Sequence, residues 1–98
     1  MNQIDLNNKV AIVTGGAQGF GHSLVDRFSK SGAKVIIWDI DEKVLNSIDL
    51  KNNISYEIVD VTSYESIQKA TNNTIKKYNK IDILVNNAGI AAPSFKTW

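Results

Sequence analysis

Apolar residues along the chain fall into short continuous runs that are separated by longer, partly polar stretches. Three of these runs are rich in β-branched residues: Val10 to Val13, Val35 to Trp38 and Ile81 to Val85. Continuous runs of this length are typical of strands that are buried on both faces, as in a parallel sheet. Ile54 to Val59 alternates in part, which favours a strand nearer the sheet edge.

The stretches between these runs predict crossover helices. In the first stretch, four apolar residues share one helical face, and Gly32 follows where a left-handed residue commonly ends a helix. Asp41 to Ile48 predicts a short helix. Thr62 and Glu65 form a capping-box pattern that predicts the start of a third helix. The apolar residues of the first helix are Phe20, Leu24, Val25 and Phe28, and the residues that keep helical spacing in the third are Ile67, Ala70, Thr71, Ile75 and Tyr78.

Strands and helices therefore alternate along the chain, which predicts an α/β fold with right-handed crossovers. A chain of 98 residues forms one domain at most. We expect a Rossmann-type, doubly wound parallel sheet that is truncated after its fourth strand. The sequence contains no linker, internal repeat or low-complexity segment.

Composition excludes several classes of function. The hydrophobic share of 43% and the charged share of 21% are those of a globular protein rather than a disordered one. The net charge of +1 gives no reason to propose a nucleic acid or an anionic membrane as partner. The absence of cysteine excludes disulfides, thiolate metal sites and a cysteine nucleophile, and we assign no metal site. No apolar run approaches the ~20 residues that span a bilayer, and the first nine residues are polar, so we expect a cytoplasmic protein.

A glycine-rich turn joins the first predicted strand to the first predicted helix. Gly15, Gly19 and Gly21 form the pattern G-x-x-x-G-x-G, whereas G-x-G-x-x-G would require a glycine at the position of Leu24. Glycines at such a turn allow the backbone to approach a pyrophosphate, and the helix N-terminus offers free N–H groups. A flexible turn without a ligand is the alternative interpretation of this loop taken alone.

An acidic residue at the end of the second strand strengthens the interpretation as a dinucleotide site. Asp39 lies 18 residues after Gly21, close to the ~20 expected for a carboxylate that binds the adenosine ribose. Such a carboxylate repels a 2′-phosphate, and no Arg or Lys lies in the glycine loop or directly after Asp39. NAD is therefore favoured over NADP. A solvated strand-end carboxylate that caps the next helix at Asp41 is the alternative.

The same loop nearly matches the phosphate-loop pattern of nucleoside triphosphatases. Gly16 to Ser23 fits G-x-x-x-x-G-K-[ST] except that His22 stands at the lysine position. A mostly neutral imidazole does not replace the fixed positive charge of that lysine, so this class of enzyme is disfavoured.

Four motifs in this order resemble the short-chain dehydrogenase/reductase family. They are Thr14-Gly15-xxx-Gly19-x-Gly21 after the first strand, Asp39 after the second, Asp60-Val61 after the third and Asn86-Asn87-Ala88-Gly89 after the fourth. The Asn-Asn-Ala-Gly tetrapeptide is the most specific of them. The resemblance runs from Lys9 to the end and implies that residues 1–98 are the N-terminal part of a single Rossmann-type NAD-binding domain whose C-terminal catalytic half is absent.

The resemblance implies a cofactor role for each motif. The glycine loop would hold the pyrophosphate, Asp39 the adenosine ribose, and Asp60 and Val61 the adenine, while the Asn-Asn-Ala-Gly segment would pass its backbone beside the cofactor ribose. Turn formation by the two asparagines is compatible with that role. The implied cofactor-binding residues are Gly15, Gly19, Phe20, Gly21, Asp39, Ile40, Asp60, Val61, Asn87, Ala88 and Gly89.

The proton donor of the family has no counterpart among these residues. The resemblance implies general-acid catalysis by a tyrosine that is followed four residues later by a lysine. Tyr56, Tyr64 and Tyr78 are instead followed at that distance by Asp60, Gln68 and Asp82. We therefore assign no catalytic residue and expect the chain alone to be inactive.

In the intact protein, the resemblance implies an NAD-dependent oxidoreductase that interconverts a secondary alcohol and a carbonyl of a small-molecule substrate, and it implies a homo-oligomer. A non-catalytic nucleotide-binding remnant or interaction module is the alternative. A methyltransferase is disfavoured because Asn86 to Gly89 has no role there. The family's strand order is 3-2-1-4-5-6-7, so we also expect Ile83 and Val85 to be under-packed and the fourth strand to expose an edge that associates with other chains.

Overall fold

The computed structural model describes residues 5–16, 19–47 and 53–87. The elements are, in order, β1 (Val10–Thr14), α1 (Gly19–Lys30), β2 (Lys34–Asp39), α2 (Glu42–Asn46), β3 (Ile54–Ile58), α3 (Tyr64–Tyr78) and β4 (Ile83–Val85). The predicted alternation of strands and helices is confirmed, although α2, β3 and β4 are shorter than the sequence patterns indicated. Within these ranges, the helices lack the combined length and apolar character that a membrane span requires.

The four strands form one parallel sheet in the order β3-β2-β1-β4. From β1 the chain moves outward through β2 to β3 and then returns to place β4 on the other side of β1. The switch point of the sheet therefore lies between β1 and β4. Because all strands are parallel, the residues that follow them lie at one edge, which we call the carboxyl edge, and ligands of open α/β sheets bind outside this edge at the switch point.

Each face of the sheet carries its own hydrophobic core. Residues of β1 and β2 alternate between the two, and every residue of β1 is buried, as its continuous apolar run predicted. The core on the α1 side contains Val13, Val25, Ala33, Val35, Ile37 and Leu45. The core on the α3 side contains Val10, Ile12, Ile36, Trp38, Val59 and Ala70. The helices thus cover both faces of the two central strands.

β4 is covered less completely than β1 and β2. Leu84 is 54% exposed, whereas Val85 packs against the core on the α1 side and Ile83 is partly buried. Ile83 and Val85 are thus only partly buried, whereas every residue of β1 is buried, which agrees with the expectation that they would be under-packed. The greater exposure of Leu84 was not predicted. Leu84 pairs with Ile12 and shares its face of the sheet. On that face, α3 packs against residues of β1 and β2. Leu84 lies on the same face but is not part of this core.

The C-terminus of α1 confirms the prediction made for Gly32. Gly32 has a φ of +103°, and its N–H donates to the carbonyl of Ser29 at 3.0 Å. The N–H of Ala33 donates to the carbonyl of Phe28 at 3.1 Å. Together these two bonds form a Schellman motif. At the other end of α1, Phe20 is 71% exposed, because it lies in the first turn at the carboxyl edge, so its predicted place on the buried face was wrong.

The start of α3 differs from the predicted capping box of Thr62 and Glu65. Ser63 is the N-cap, and its Oγ accepts a hydrogen bond from the N–H of Ser66 at 3.2 Å. The Thr62 hydroxyl donates instead to Asp60. Further along α3, the buried positions include Ala70 and Thr74, whereas Ile75 is exposed despite its place in the predicted apolar pattern.

Asp82 fastens the amino end of β4 to that of β1. Its Oδ2 accepts a hydrogen bond from the N–H of Val10 at 2.8 Å, and its own N–H donates to the Val10 carbonyl at 2.8 Å. The ammonium of Lys80 lies 3.2 Å from the same Oδ2. The bond from Val10 lowers the pKa of Asp82 below its ordinary value, and the neighbouring Lys80 acts in the same direction.

We predict that Asp82 makes the stability of the fold depend on pH. A carboxyl whose pKa is lowered by folding stabilises the folded state above its unfolded pKa, about 4 for Asp, and loses this contribution as the pH falls through the folded-state pKa. Asp82→Asn should therefore lower the melting temperature at pH 7, and the difference from the unmodified protein should shrink at acidic pH. Circular dichroism during heating at both pH values measures this.

Asp5→Asn is the matched control, because Asp5 is an exposed carboxylate that accepts one local bond, from the N–H of Asn7 at 3.0 Å. It should change the melting temperature little at either pH. Equal melting temperatures for Asp82→Asn and the unmodified protein at pH 7 would contradict the proposed role of Asp82.

Candidate functional site

The carboxyl edge brings together the residues that the sequence motifs singled out. Gly15 follows β1, Asp39 ends β2, Asp60 lies two residues after β3, and Asn87 lies two residues after β4. Residues far apart in the chain thus meet at one edge, as the parallel strand order requires. Two residues that were also predicted to bind the cofactor, Ala88 and Gly89, lie outside the described residues.

Thr14 joins the ends of β1 and β4 at the switch point. Its side chain is buried, and its Oγ1 accepts a hydrogen bond from the N–H of Asn87 at 2.7 Å. The same Oγ1 lies 3.3 Å from the carbonyl of Val85 and 3.2 Å from Oδ1 of Asn86, both acceptors for its proton. The side-chain amide of Asn87 donates in turn to the carbonyl of Gly15 at 3.4 Å. Asn87, two residues after β4, is therefore held beside Thr14 and Gly15.

The glycines of this loop meet different requirements. A Cβ at Gly21 would collide with the carbonyl oxygen of Gly15 and would lie 2.5 Å from Nδ2 of Asn87, so only glycine allows α1 to pack this closely. Gly19 has a φ of +60°, and a Cβ there would meet no atom within 4 Å. Gly21 thus serves packing, whereas Gly19 leaves backbone facing open space.

The N-terminus of α1 provides the positive potential of the site. α1 begins at Gly19, and its first N–H groups have no acceptor within the helix. The first turn contains no acidic residue that would offset the helix dipole. Backbone N–H groups and the dipole together make such an end a binding site for phosphate groups. Phe20 and His22 are the exposed side chains of this turn.

Asp39 presents a carboxylate whose position is fixed by its neighbours. Its carbonyl accepts a hydrogen bond from the N–H of Val59 at 2.9 Å, and its Oδ1 accepts one from the N–H of Asp41 at 3.1 Å. Asp39 remains partly exposed, and Ile40 beside it is 61% exposed. The alternative prediction, that Asp39 caps the helix at Asp41, was wrong in one respect, because Asp41 itself is the N-cap of α2.

The turn that follows Asp60 stabilises the carboxylate form of its side chain. Its Oδ1 accepts hydrogen bonds from the hydroxyl of Thr62 at 2.6 Å and from the N–H of Thr62 at 2.9 Å. These two bonds lower the pKa of Asp60, the hydroxyl having the larger effect. Its own N–H donates to Oγ of Ser66 at 2.9 Å. Val61 is partly buried against the core on the α3 side.

The carboxyl edge therefore presents two kinds of group that could bind a ligand. The N–H groups at the start of α1 can donate to an anion, and the carboxylates of Asp39 and Asp60 can accept hydrogen bonds from hydroxyl or amino groups. Among the described residues, no cluster of three or more His, Cys, Asp or Glu side chains could hold a metal ion.

The sequence motifs did not reveal the roles of two residues at this edge. Thr14 was noted as part of the glycine motif, but its hydroxyl was not expected to join β1 to β4. The signal was present, because a polar residue that ends a strand buried on both faces requires a hydrogen-bond partner. Asp41, which donates its N–H to Asp39, was considered only as the start of the next helix.

The comparisons with known proteins agree with this geometry. The family model described as short chain dehydrogenase matches residues 9–97. Secoisolariciresinol dehydrogenase from Forsythia intermedia is 39% identical over 92 residues, which are 91% of this chain and 33% of that protein. The mitochondrial borneol dehydrogenase of Lavandula x intermedia is 40% identical over 92 residues, which are 93% of this chain and 36% of the relative. The chain thus spans about a third of the length of these curated relatives.

Solved structures show the same arrangement of the chain. A 3-ketoacyl-(acyl-carrier-protein) reductase from Brucella melitensis, complexed with NADH, superposes with a TM-score of 0.81 at 36% identity, over 88% of this chain and 36% of that one. A short chain dehydrogenase from Bacillus anthracis gives a TM-score of 0.78 at 34% identity, over 85% of this chain and 35% of that one. The predicted Rossmann-type parallel sheet is confirmed.

We predict that the hydroxyl of Thr14 stabilises the fold and not only the loop around it. Thr14→Val keeps the shape of the side chain but leaves the N–H of Asn87 without its acceptor. Loss of a partner for a buried donor costs about 1–3 kcal/mol. Because the bond from Asn87 is part-buried, the free energy of unfolding in urea should fall by about 1 kcal/mol, the lower end of this range.

Thr74→Val is the matched control, since Thr14 and Thr74 are both 3% exposed. The hydroxyl of Thr74 donates to the carbonyl of Ala70 at 2.9 Å, an acceptor that the helix itself already uses. This substitution should change the free energy of unfolding much less. Equal losses for the two variants would show that Thr14 has no special role.

Proposed function

Because the chain belongs to the short-chain dehydrogenase family, we propose that it binds NAD at the carboxyl edge and that the intact protein uses NAD to interconvert a secondary alcohol and a carbonyl. The observation that carries the proposal is the convergence of the open N-terminus of α1, the carboxylate of Asp39 and the Thr14–Asn87 contact at the switch point. When bound, the nicotinamide ring supplies the hydride chemistry. The names of the relatives, which include two dehydrogenases, support the same class of reaction.

In this proposal the pyrophosphate lies against the N-terminus of α1. The open space at Gly19 admits the phosphates close to the backbone, and the N–H groups of the first turn, which have no acceptor within the helix, donate to their oxygens. Gly21 supports this indirectly, because the absence of a side chain there allows α1 to lie close to Gly15.

Asp39 selects NAD over NADP in this proposal. Its carboxylate accepts hydrogen bonds from the ribose hydroxyls of NAD, and it repels the additional phosphate of NADP at the same place. Two like charges about 4 Å apart repel by about 1 kcal/mol in water and by about 4 kcal/mol near a protein surface. Since about 1.4 kcal/mol corresponds to tenfold, the repulsion near a protein surface is sufficient for a preference of at least about tenfold.

The remaining predicted residues hold the two ends of the cofactor. We assign the adenine to the surface formed by Ile40, Asp60 and Val61, with the Asp60 carboxylate as acceptor for the amino group. We assign the ribose on the nicotinamide side to the backbone at Asn87, whose N–H donates to the Thr14 hydroxyl.

We assign cofactor binding and orientation to this chain, and no proton transfer. None of its tyrosines is followed four residues later by a lysine, so the residues of the chain do not provide the proton donor that the family resemblance implies. The alternative function, a nucleotide-binding module without catalysis, would use the same site for the same ligand.

The proposed preference for NAD predicts the effect of changing Asp39. The unmodified protein should bind NAD at least about tenfold more tightly than NADP, and Asp39→Ala combined with Ile40→Arg should reverse this preference, because the carboxylate is replaced by a charge that attracts the 2′-phosphate. Isothermal titration calorimetry with both cofactors measures the two dissociation constants.

Asp5→Asn serves as control, because it removes one negative charge from a residue that precedes β1, at the opposite edge of the sheet. It should leave both dissociation constants unchanged. Equal or tighter binding of NADP by the unmodified protein would refute the assignment of Asp39.

A further inference from the structure

We propose that Asp41 is a positioning residue for the cofactor, and that it acts by holding the carboxylate of Asp39 in the orientation that receives the ribose hydroxyls. The proposal rests on the NAD site described above. It goes further because ribose recognition then also depends on Asp41, whose own side chain bonds to the first turn of α2.

A chain of hydrogen bonds connects α2 to Asp39. The side chain of Asp41 accepts a hydrogen bond from the N–H of Val44 at 3.2 Å, and its carbonyl accepts one from the N–H of Leu45 at 3.1 Å. The backbone N–H of Asp41 donates to Oδ1 of Asp39 at 3.1 Å. Asp41 thus has the extended conformation of an N-cap, with φ −89° and ψ 96°. The cap fixes the backbone that carries the donated N–H.

α2 is too short to hold this geometry without the cap. It has five residues, and isolated helices of this length do not form in water. Its one buried side chain is Leu45, which packs in the core on the α1 side. Leu45 and the partly buried Val44 anchor α2 to that core, and the N–H groups of both residues bond to Asp41, which is itself exposed. Loss of the side-chain bond would leave Asp41 attached to the helix by the bond from Leu45 alone.

The backbone of Asp39 is fixed independently of Asp41. Its carbonyl accepts the N–H of Val59, and Asp39 pairs with Ile58 across the sheet. The side chain, however, accepts its one bond among the described residues from the N–H of Asp41. Loss of the cap should therefore loosen the carboxylate of Asp39 and leave the strand in place.

Two substitutions separate the cap from the charge. Asp41→Asn removes the negative charge, but asparagine caps helices as well as aspartate does, whereas alanine does not. Glu42→Gln removes a neighbouring exposed charge in the first turn of α2 without touching the cap. If Asp41 positions the carboxylate of Asp39, Asp41→Ala should weaken NAD binding, whereas Asp41→Asn and Glu42→Gln should not.

The test is calorimetric titration of the full 98-residue chain and its variants with NAD. Asp41→Ala should weaken NAD binding about fivefold, the size expected when an N-cap is lost. Asp41→Asn and Glu42→Gln should stay within about twofold of the unmodified protein, since both keep the cap. In the Asp39→Ala background, Asp41→Ala should have no further effect, because it acts through Asp39.

Amide hydrogen exchange provides a readout that needs no ligand. The N–H of Asp41 should be protected in the unmodified protein and in Asp41→Asn, and it should exchange faster in Asp41→Ala, with circular dichroism showing that all three are folded. Equal binding losses for the alanine and asparagine variants, additive losses in the Asp39→Ala background, or unchanged protection would overturn the proposal. A failure of the proposed function itself would be distinguishable, because the unmodified protein would then not bind NAD or would bind NADP with equal affinity.

Discussion

The hydroxyl of Thr14 is the point on which the rest of the carboxyl edge depends. It accepts a hydrogen bond from the N–H of Asn87, which is 73 residues away in the sequence, at the switch point of the sheet. Together with the bond from the Asn87 side-chain amide to the Gly15 carbonyl, this contact holds Asn87 beside the end of β1, whereas β4 itself pairs with β1 over only three residues. The site is therefore assembled by the β1–β4 contact rather than by any one loop.

The carboxylates at the two ends of the sheet have different roles. At the amino end, Asp82 fastens β4 to β1 through both backbone groups of Val10, so a charged side chain there serves stability. At the carboxyl end, Asp39 and Asp60 are held by the N–H groups of the turns that follow them and remain at the surface, where they can accept bonds from a ligand. Similar carboxylates thus differ in role because of their place along the strands.

Local sequence patterns predicted the fold where one physical effect dominated. The apolar runs predicted β1 and β2, and Gly32 predicted the end of α1, without any knowledge of the tertiary structure. The patterns failed where two local solutions were nearly equivalent, as at Ser63, which caps α3 although Thr62 and Glu65 matched a capping box. They also failed for Phe20, whose exposure depends on where α1 starts relative to the sheet. Likewise, the motifs located the site but not the Thr14–Asn87 and Asp41–Asp39 bonds, which depend on how the elements meet.

A titration of the ¹⁵N-labelled protein with NAD, followed by amide chemical shifts, shows most directly where the cofactor binds. The largest shifts should occur at the carboxyl edge, at Gly15, Gly19, Phe20, Gly21, Asp39, Asp41, Val61 and Asn87. Little change is expected at the opposite edge, at Lys9, Gly32 and Asp82. Shifts concentrated at that opposite edge or on the outer surface of α3, with the glycine loop unaffected, would contradict the assignment of the carboxyl edge as the cofactor site.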